Sequence, residues 1–348
     1  MKDKNKLYSF AKSSLVVIDN PRLLPVDSFV RKGTGVRVVS GEPIFYAGIA
    51  ITNLCNLTCK HCPVSVTNDT SNRVEWSLDD FKTLIANLES RGLARVSITG
   101  GEPFLHSDIV GIFKILHEYG VESKLNSNGL MAQPNLVGKL IEYGLTEIDI
   151  SVNDPSDDSD CYETSKNYAK DRIDSIAELV SYFNTDISVT ASSVLTRRLI
   201  KKLSETSDRL YSAGARRWRL REMLPNIDRK SDLTLIPSLQ ELKFYLEKYI
   251  IESKPLTTYG YLFDIMQGVE SVRRCENLEK NYIYISYNGK CWWMAGLSGA
   301  ALGDYHNSGL GPINDKLEYY MSNFNPPERC GTCPARSICL VSPLLLEE

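Results

Sequence analysis

The nine cysteines of this 348-residue chain are its most chemically informative residues. Three share one short segment, Cys55-Asn-Leu-Thr-Cys59-Lys-His-Cys62, and Cys161 stands alone. The apolar run near the N-terminus is too short for a secretory signal, so we expect a reducing, cytoplasmic location. Clustered thiols in such a compartment bind metal more often than they form disulfides. Five further cysteines fall in the last quarter of the chain: Cys275, Cys291, Cys330, Cys333 and Cys339.

The segment Cys55–Cys62 has the spacing of an iron–sulfur site. Three thiolates on one short loop can each bind one iron of a 4Fe–4S cluster, which leaves the fourth iron without a protein ligand. An open metal position is what a catalytic metal site requires. Two alternatives remain at this point: a zinc site without its fourth ligand, and three buried thiols with no metal.

Strand and helix patterns alternate from Ile44 to about Leu224 and must position this loop. The apolar run Phe45–Thr52 runs directly into the cysteines, and Ser77 opens the next helix as its N-cap. Six such units in series predict an α/β fold with a parallel sheet, in which ligands lie at the carboxyl ends of the strands. We expect three regions: an N-terminal extension without clear periodicity (1–44), the α/β core (45–236) and a smaller cysteine-bearing domain (237–348).

A second motif, Thr99-Gly100-Gly101-Glu102-Pro103, ends the second predicted strand. Glycines there would let the backbone approach a ligand closely. Together with the cysteine loop, this motif resembles the radical S-adenosylmethionine (SAM) superfamily over residues 45–224. The resemblance implies a partial (β/α)6 barrel. The resemblance also implies that SAM binds the open iron and that the reduced cluster cleaves SAM. The product is a 5′-deoxyadenosyl radical, which abstracts hydrogen from a substrate. An external electron donor such as flavodoxin or ferredoxin would reduce the cluster.

The same resemblance implies roles for individual residues. Gly100, Gly101 and Glu102 should face the methionine moiety of SAM, and His61 matches the position that contacts adenine. The other matches are Ser151 near the ribose, Met223 against adenine, and the turn residues Ser127 and Asn128. Arg217, Arg219 and Arg221 alternate along the sixth strand and therefore share a face. From that face Arg219 could pair with an anionic group such as the SAM carboxylate.

The C-terminal cysteines are similar to the SPASM/twitch extension of that superfamily, which holds auxiliary 4Fe–4S clusters. The chain departs from the full pattern, because Pro343 stands where a further cysteine is expected. Five cysteines cannot ligate two complete clusters. We expect one auxiliary cluster with Cys339 as a replacement or a free thiol, and a structural zinc is the alternative. The predicted ligands are Cys275, Cys291, Cys330 and Cys333.

Composition narrows the function further. Forty Lys and Arg against forty-three Asp and Glu give a net charge of −3, so the chain lacks the basic field that nucleic acid or an anionic membrane would need. We predict a radical SAM enzyme that modifies a peptide or small natural product by oxidation, cross-linking or epimerisation. Cys161, in an acidic loop after the fourth strand, is the candidate hydrogen donor. Alternatives are a dehydrogenase or epimerase of sugars or aminoglycosides, and a non-catalytic metal-binding interaction protein.

Overall fold

The structure is a computed structural model. It describes residues 7–11, 14–18, 46–62, 64–153, 169–183, 186–221, 233–252, 256–259, 282–292 and 301–323. Within these ranges, no helix is long and apolar enough to cross a membrane.

Strands and helices alternate along the core as the sequence pattern predicts. The helices are α1 (Leu78–Glu89), α2 (Ile109–Glu118), α3 (Pro134–Glu142), α4 (Ala169–Phe183), α5 (Leu203–Ser212), α6 (Leu239–Ile251), α7 (Tyr305–Ser308) and α8 (Leu310–Asn323). The strands are β1 (Leu7–Ala11), β2 (Ser14–Ile18), β3 (Tyr46–Ala50), β4 (Arg95–Thr99), β5 (Glu122–Ser127), β6 (Leu145–Ser151), β7 (Ser188–Val194), β8 (Arg217–Arg221), β9 (Thr257–Tyr259), β10 (Tyr282–Ile285), β11 (Lys290–Trp292) and β12 (Ala301–Asp304).

Ten strands form one open sheet in the order β12-β11-β10-β3-β4-β5-β6-β7-β8-β9. Neighbours from β10 through β3 to β9 are parallel, whereas β11 and β12 pair antiparallel at one edge. The six predicted core strands, β3 to β8, therefore lie side by side in chain order. Elements from the C-terminal region extend this sheet at both of its edges, with β9 beside β8 and β10 beside β3.

The N-terminal residues contain more structure than their sequence pattern predicts. Strands β1 and β2 form an antiparallel hairpin in which Ala11 pairs with Ser14. Residues 1–44 lack the hydrophobic periodicity of a helix or strand, but this does not exclude a hairpin. Two short adjacent strands are joined by backbone hydrogen bonds, which a hydrophobic pattern does not reveal.

One face of the sheet packs against the helices and forms the core. Ile98, Leu125, Ile148 and Trp218 point to this side and are fully buried. Helices meet them with apolar faces, such as Phe81, Leu84, Ile85 and Leu88 on α1, which begins at the Ser77 cap. Right-handed crossovers place successive helices on the same side of a parallel sheet, so this packing follows from the strand order.

The opposite side, which we call the inner face, is polar and charged. Lys124 on β5 is 2% exposed and contacts the carboxylates of Glu147 and Asp149 on β6, with its Nζ 3.2 Å from Asp149 Oδ2. Burial lowers the pKa of Lys124, and these two carboxylates counter that shift. Burial opposes the charge on Asp149, but Lys124, Arg221 and Arg219 outweigh it and hold the pKa of the carboxyl below its usual range.

This buried cluster predicts a large effect of removing its central cation. Lys124→Met keeps a similar length but removes the nearest partner of Glu147 and the only fully buried cation beside Asp149 among the described residues, so the free energy of unfolding should fall by about 3–5 kcal/mol. Urea unfolding followed by circular dichroism measures the change. The control, Lys170→Met, removes a surface partner of Asp174 and should leave unfolding unchanged. A loss for Lys124→Met below about 1 kcal/mol would contradict the role of this ion cluster.

Candidate functional site

The cysteine loop follows β3 and is fastened at several points by hydrogen bonds. Cys55 donates its backbone N–H to Thr67 O (2.8 Å), and Thr67 donates to Asn53 O (3.0 Å). The side chain of Asn53 accepts from Val74 N and donates to Asn72 O. These bonds fix the start of the loop at the carboxyl end of the sheet, and the three thiols follow from this fixed point.

The three thiols lie close enough to influence one another. Cys55 is buried, and Cys59 and Cys62 are half-buried. Burial raises the pKa of Cys55 to about 12, and negative charge at Glu102, Cys59 or Cys62 would raise it further. A thiol in this setting stays protonated at neutral pH unless a metal replaces its proton, so its chemistry suits a metal ligand.

The arrangement of these thiols bears on which metal they fit. In the part of the chain that the structure describes, no three His, Cys, Asp or Glu side chains are arranged around a point that could hold one metal ion. A zinc site would need such convergence, with every sulfur about 2.3 Å from one ion. Thiolates of a 4Fe–4S cluster bind different irons and need not converge. Three thiols on one loop therefore match the number of thiolates that a 4Fe–4S cluster with one open iron takes from the protein.

Gly100 and Gly101 pack against the cysteine loop rather than into open space. A Cβ on Gly100 would lie 2.6 Å from Thr52 O, and one on Gly101 would lie 2.2 Å from Leu54 O. Gly101 also donates its N–H to Thr52 O at 2.7 Å. The absence of side chains here lets β4 approach the loop, a structural reason that the sequence motif alone does not reveal.

Glu102 connects this region to the end of β5. Its buried carboxylate accepts hydrogen bonds from Ser127 Oγ (2.8 Å), Asn128 N (2.8 Å) and Phe104 N (3.3 Å). Asn128 in turn donates its side-chain amide to Asn56 Oδ1 in the cysteine loop at 2.7 Å. Burial raises the pKa of Glu102 to about 7, although these hydrogen bonds counter the shift. The predicted residues Glu102, Ser127 and Asn128 thus form one network beside the cysteines.

His61 and Arg172 complete the described part of the site. His61 is buried, its Nδ1 has no hydrogen-bond partner there, and burial together with Arg172 lowers its pKa to about 4. A neutral ring with an open nitrogen suits contact with a bound cofactor. Arg172 on α4 is 1% exposed, donates from Nη1 to Ser151 O at 3.1 Å and acts electrostatically on Glu102. No motif in the sequence singles out Arg172, because only the packing of α4 brings it here.

Two predicted residues have contacts that the sequence does not reveal. Cys291 is fully buried, and its Sγ donates to Gly289 O at 3.3 Å. Its register with Ile285 puts it on the helix-covered side of the sheet. Burial raises the pKa of this thiol to about 12, as it does for Cys55. Arg219 contacts Asp149 at 3.8 Å on the inner face. The remaining predictions fall outside the described residues: Cys161, Met223, Cys275, Cys330, Cys333 and Cys339.

The fold and site define a class: an α/β domain with an open parallel sheet that carries a three-cysteine loop beyond its first core strand. Residues 49–199 match the model of the radical SAM superfamily. These residues therefore carry a radical SAM domain, which confirms the resemblance that the cysteine loop and the Gly-Gly-Glu-Pro motif indicate for the core.

The chain is also similar to individual proteins of known name or structure. The chain is 25% identical over 242 residues to the GTP 3′,8-cyclase of Campylobacter lari, an alignment that covers 65% of this chain and 73% of the relative. Its fold is similar to that of Streptococcus suis SuiB bound to the precursor peptide SuiA, with a TM-score of 0.63, 16% identity, and 86% and 72% of the two chains covered. It is also similar to that of anSMEcpe with bound AdoMet, with a TM-score of 0.64, 14% identity, and 85% and 88% covered.

The packing of Gly101 predicts that a side chain there disrupts the cysteine loop itself. Gly101→Ala should push Leu54 away and lower the iron bound on reconstitution by about four atoms per chain. Iron and sulfide analysis with the visible absorption spectrum measures this loss. Gly138→Ala is the control, since a Cβ there meets only Phe183 at 3.8 Å. A Gly101→Ala protein that assembles its full iron content would contradict this reading.

The sequence predicts Cys291 as an auxiliary-cluster ligand, so its replacement should lower the metal content. Cys291→Ala should lose about four irons per chain if the auxiliary cluster depends on this thiol. Elemental analysis measures the loss, and thermal unfolding measures the effect of the small cavity that the same change opens in the core. A Cys291→Ala protein with the iron and sulfide content of the native protein would remove Cys291 from the ligand set and leave Cys339 as its replacement.

Proposed function

We propose that this protein reductively cleaves SAM and uses the resulting radical to abstract hydrogen from a peptide or natural product. The observation that carries the proposal is the joining of the cysteine loop to the Glu102 network through Asn56 and Asn128. That contact places three thiols and a buried carboxylate at one end of the sheet, beside His61 and Arg172.

The residues of the site have separate tasks in this proposal. Cys55, Cys59 and Cys62 hold the cluster, and His61 lies against the adenine of SAM. Glu102, fixed by Ser127 and Asn128, faces the methionine amino group, while Arg172 supplies a buried positive charge for the carboxylate. When bound, the cluster and SAM supply the radical that takes hydrogen from the substrate. Gly100 and Gly101 hold the loop in position.

Two kinds of substrate are supported by different observations. The fold likeness to SuiB, which was crystallised with a precursor peptide, supports a peptide. The alignment with a GTP 3′,8-cyclase over 65% of this chain supports a nucleotide as the second candidate. With either substrate, the outcome is oxidation, cyclisation or epimerisation. In an epimerisation Cys161 remains our candidate thiol for returning hydrogen to the substrate.

An auxiliary 4Fe–4S cluster near the C-terminus is part of the same proposal. The ligands predicted from the sequence are Cys275, Cys291, Cys330 and Cys333, and Cys339 could replace one of them. Four thiolates supply one ligand to each iron of a single cluster. Cys291 is a buried thiol like Cys55, so the proposal keeps it in the ligand set.

The decisive experiment removes the three thiols of the loop. After anaerobic reconstitution and reduction with dithionite, the native protein should convert SAM to 5′-deoxyadenosine, and a Cys55→Ala, Cys59→Ala, Cys62→Ala variant should form none. That variant should also lose about four of about eight irons. Chromatography of the nucleoside and elemental analysis measure both results, with Gly138→Ala as the control.

Two outcomes would overturn the proposal. Native protein with a full iron content that never forms 5′-deoxyadenosine would favour a non-catalytic metal-binding protein. Zinc in place of iron in the triple variant would remove the auxiliary cluster from the proposal, without affecting the first cluster.

A further inference from the structure

The inner face of strands β4 to β8 carries more positive than negative charge. Register pairs Ser151 with Ser192 and Ser192 with Arg219, which fixes the side of the sheet that each residue shares. On this side, five cations face three carboxylates. The cations are Arg95, Lys124, Arg217, Arg219 and Arg221, and the carboxylates are Glu122, Glu147 and Asp149.

The carboxylates are shared among several cations. Asp149 Oδ2 lies 2.8 Å from Arg221 Nη2, 3.2 Å from Lys124 Nζ and 3.8 Å from Arg219 Nη1. Glu147 contacts Lys124, Arg95 and Arg217. A face with surplus positive charge is stabilised when an anion binds to it.

The cations also differ in how open they are. Lys124 and Asp149 are sealed beneath the surface, whereas the side chains of Arg219 and Arg221 remain 33% and 40% exposed. Asn126 Oδ1 accepts from Arg221 Nη2 at 3.1 Å and so helps Asp149 to hold that guanidinium from below. Two arginines anchored at one end and open at the other are preorganised to bind an oxyanion through paired hydrogen bonds.

These arginines lie at the carboxyl end of the sheet, but apart from the Glu102 network. Arg219 is two strands from Ser151, or roughly 10 Å at the usual strand spacing. Arg172 already provides a buried cation beside Ser151. Arg172, which also acts electrostatically on Glu102, is therefore the cation beside that network, whereas Arg219 is a partly exposed cation outside it.

We propose that Arg219 and Arg221 form a binding site for a carboxylate or phosphate group of the substrate, positioned on the inner face beside the site of hydrogen abstraction. This inference rests on the proposed function, which it deepens by naming the charge of the substrate. It makes an anionic peptide or a phosphorylated small molecule a better substrate than a cationic sugar.

The test measures binding of two simple anions to the reconstituted protein with SAM present. Pyrophosphate and glutarate are titrated calorimetrically into the native protein, the double variant Arg219→Gln, Arg221→Gln, and the control Arg216→Gln. Arg216 immediately precedes β8 but stacks on Tyr211, outside the inner face, so it controls for lost charge. At least one anion should bind, the double variant should weaken it at least tenfold, and the control should leave it unchanged. The tighter anion identifies the group as phosphate or carboxylate.

The SAM affinity of the same variants separates this proposal from its alternative. We expect the dissociation constant for SAM to change less than twofold in the double variant. A tenfold weakening would assign the arginines to SAM and overturn the proposal, as would equal binding of both anions to native and variant proteins or binding to neither.

A conservative variant guards against a folding defect, and the proposed function is tested separately. Arg221→Lys keeps the charge and should recover part of the anion affinity that Arg221→Gln loses. If both variants lose iron or secondary structure equally, the arginines are structural and the proposal fails. Absence of 5′-deoxyadenosine from native protein would refute the proposed function while anion binding is still measured, so the two failures are distinguishable.

Discussion

The site depends on one buried carboxylate, that of Glu102. A carboxylate removed from water is costly unless hydrogen-bond donors replace the lost solvent, and here two backbone N–H groups and one hydroxyl do so. Those donors come from the turn after β4 and from the end of β5. Through Asn128 and Asn56 the same network reaches the cysteine loop. Three loops from different parts of the chain are thereby held in one arrangement, ready for the groups that bind between them.

The sheet beneath these loops separates two physical environments. Its helix-covered side is apolar and supplies most of the burial that stabilises the domain. Its inner face is built on strands that alternate strictly, so Leu125 faces the helices while Lys124 and Asn126 face inward. Charged side chains on that face are tolerated because each buried one has an opposite charge within contact distance.

The chemical character of the inner face differs from one edge of the sheet to the other. Strands β3, β10 and β11 contribute aromatic side chains, among them Tyr284 and Trp292, whose rings lie 6.1 Å apart. Burial raises the pKa of Tyr284, and the electrostatic effect of Cys62 places this ring near the cysteine loop. Strands β5 to β8 contribute the ionic cluster instead. An apolar flank near the cysteines and a cationic flank opposite would orient a substrate that has one apolar end and one anionic end.

Much of this organisation follows from the sequence alone. The order of strands and helices, the cap at Ser77 and the three-cysteine loop depend on residues that are near one another in the chain, so spacing and periodicity reveal them. Glu102, Ser127 and Asn128 could also be predicted as site residues, because each lies at or just after the end of a predicted strand. Parallel strands bring such ends together. Local patterns could not predict which side chains these residues contact in the folded protein.

Only the tertiary structure decided the contacts between distant segments. It placed β10 beside β3, turned Cys291 into the core, brought Arg172 of α4 to Ser151 and joined Arg219 and Arg221 to Asp149. Each of these results depends on strand register or helix packing across long sequence separations. Register is set by the burial of whole strands against the helices, and a shift of one residue would exchange the two faces. The sequence therefore determined which residues could take part in the chemistry. The packing of the whole chain decided on which face of the sheet each of them lies and which of them are in contact.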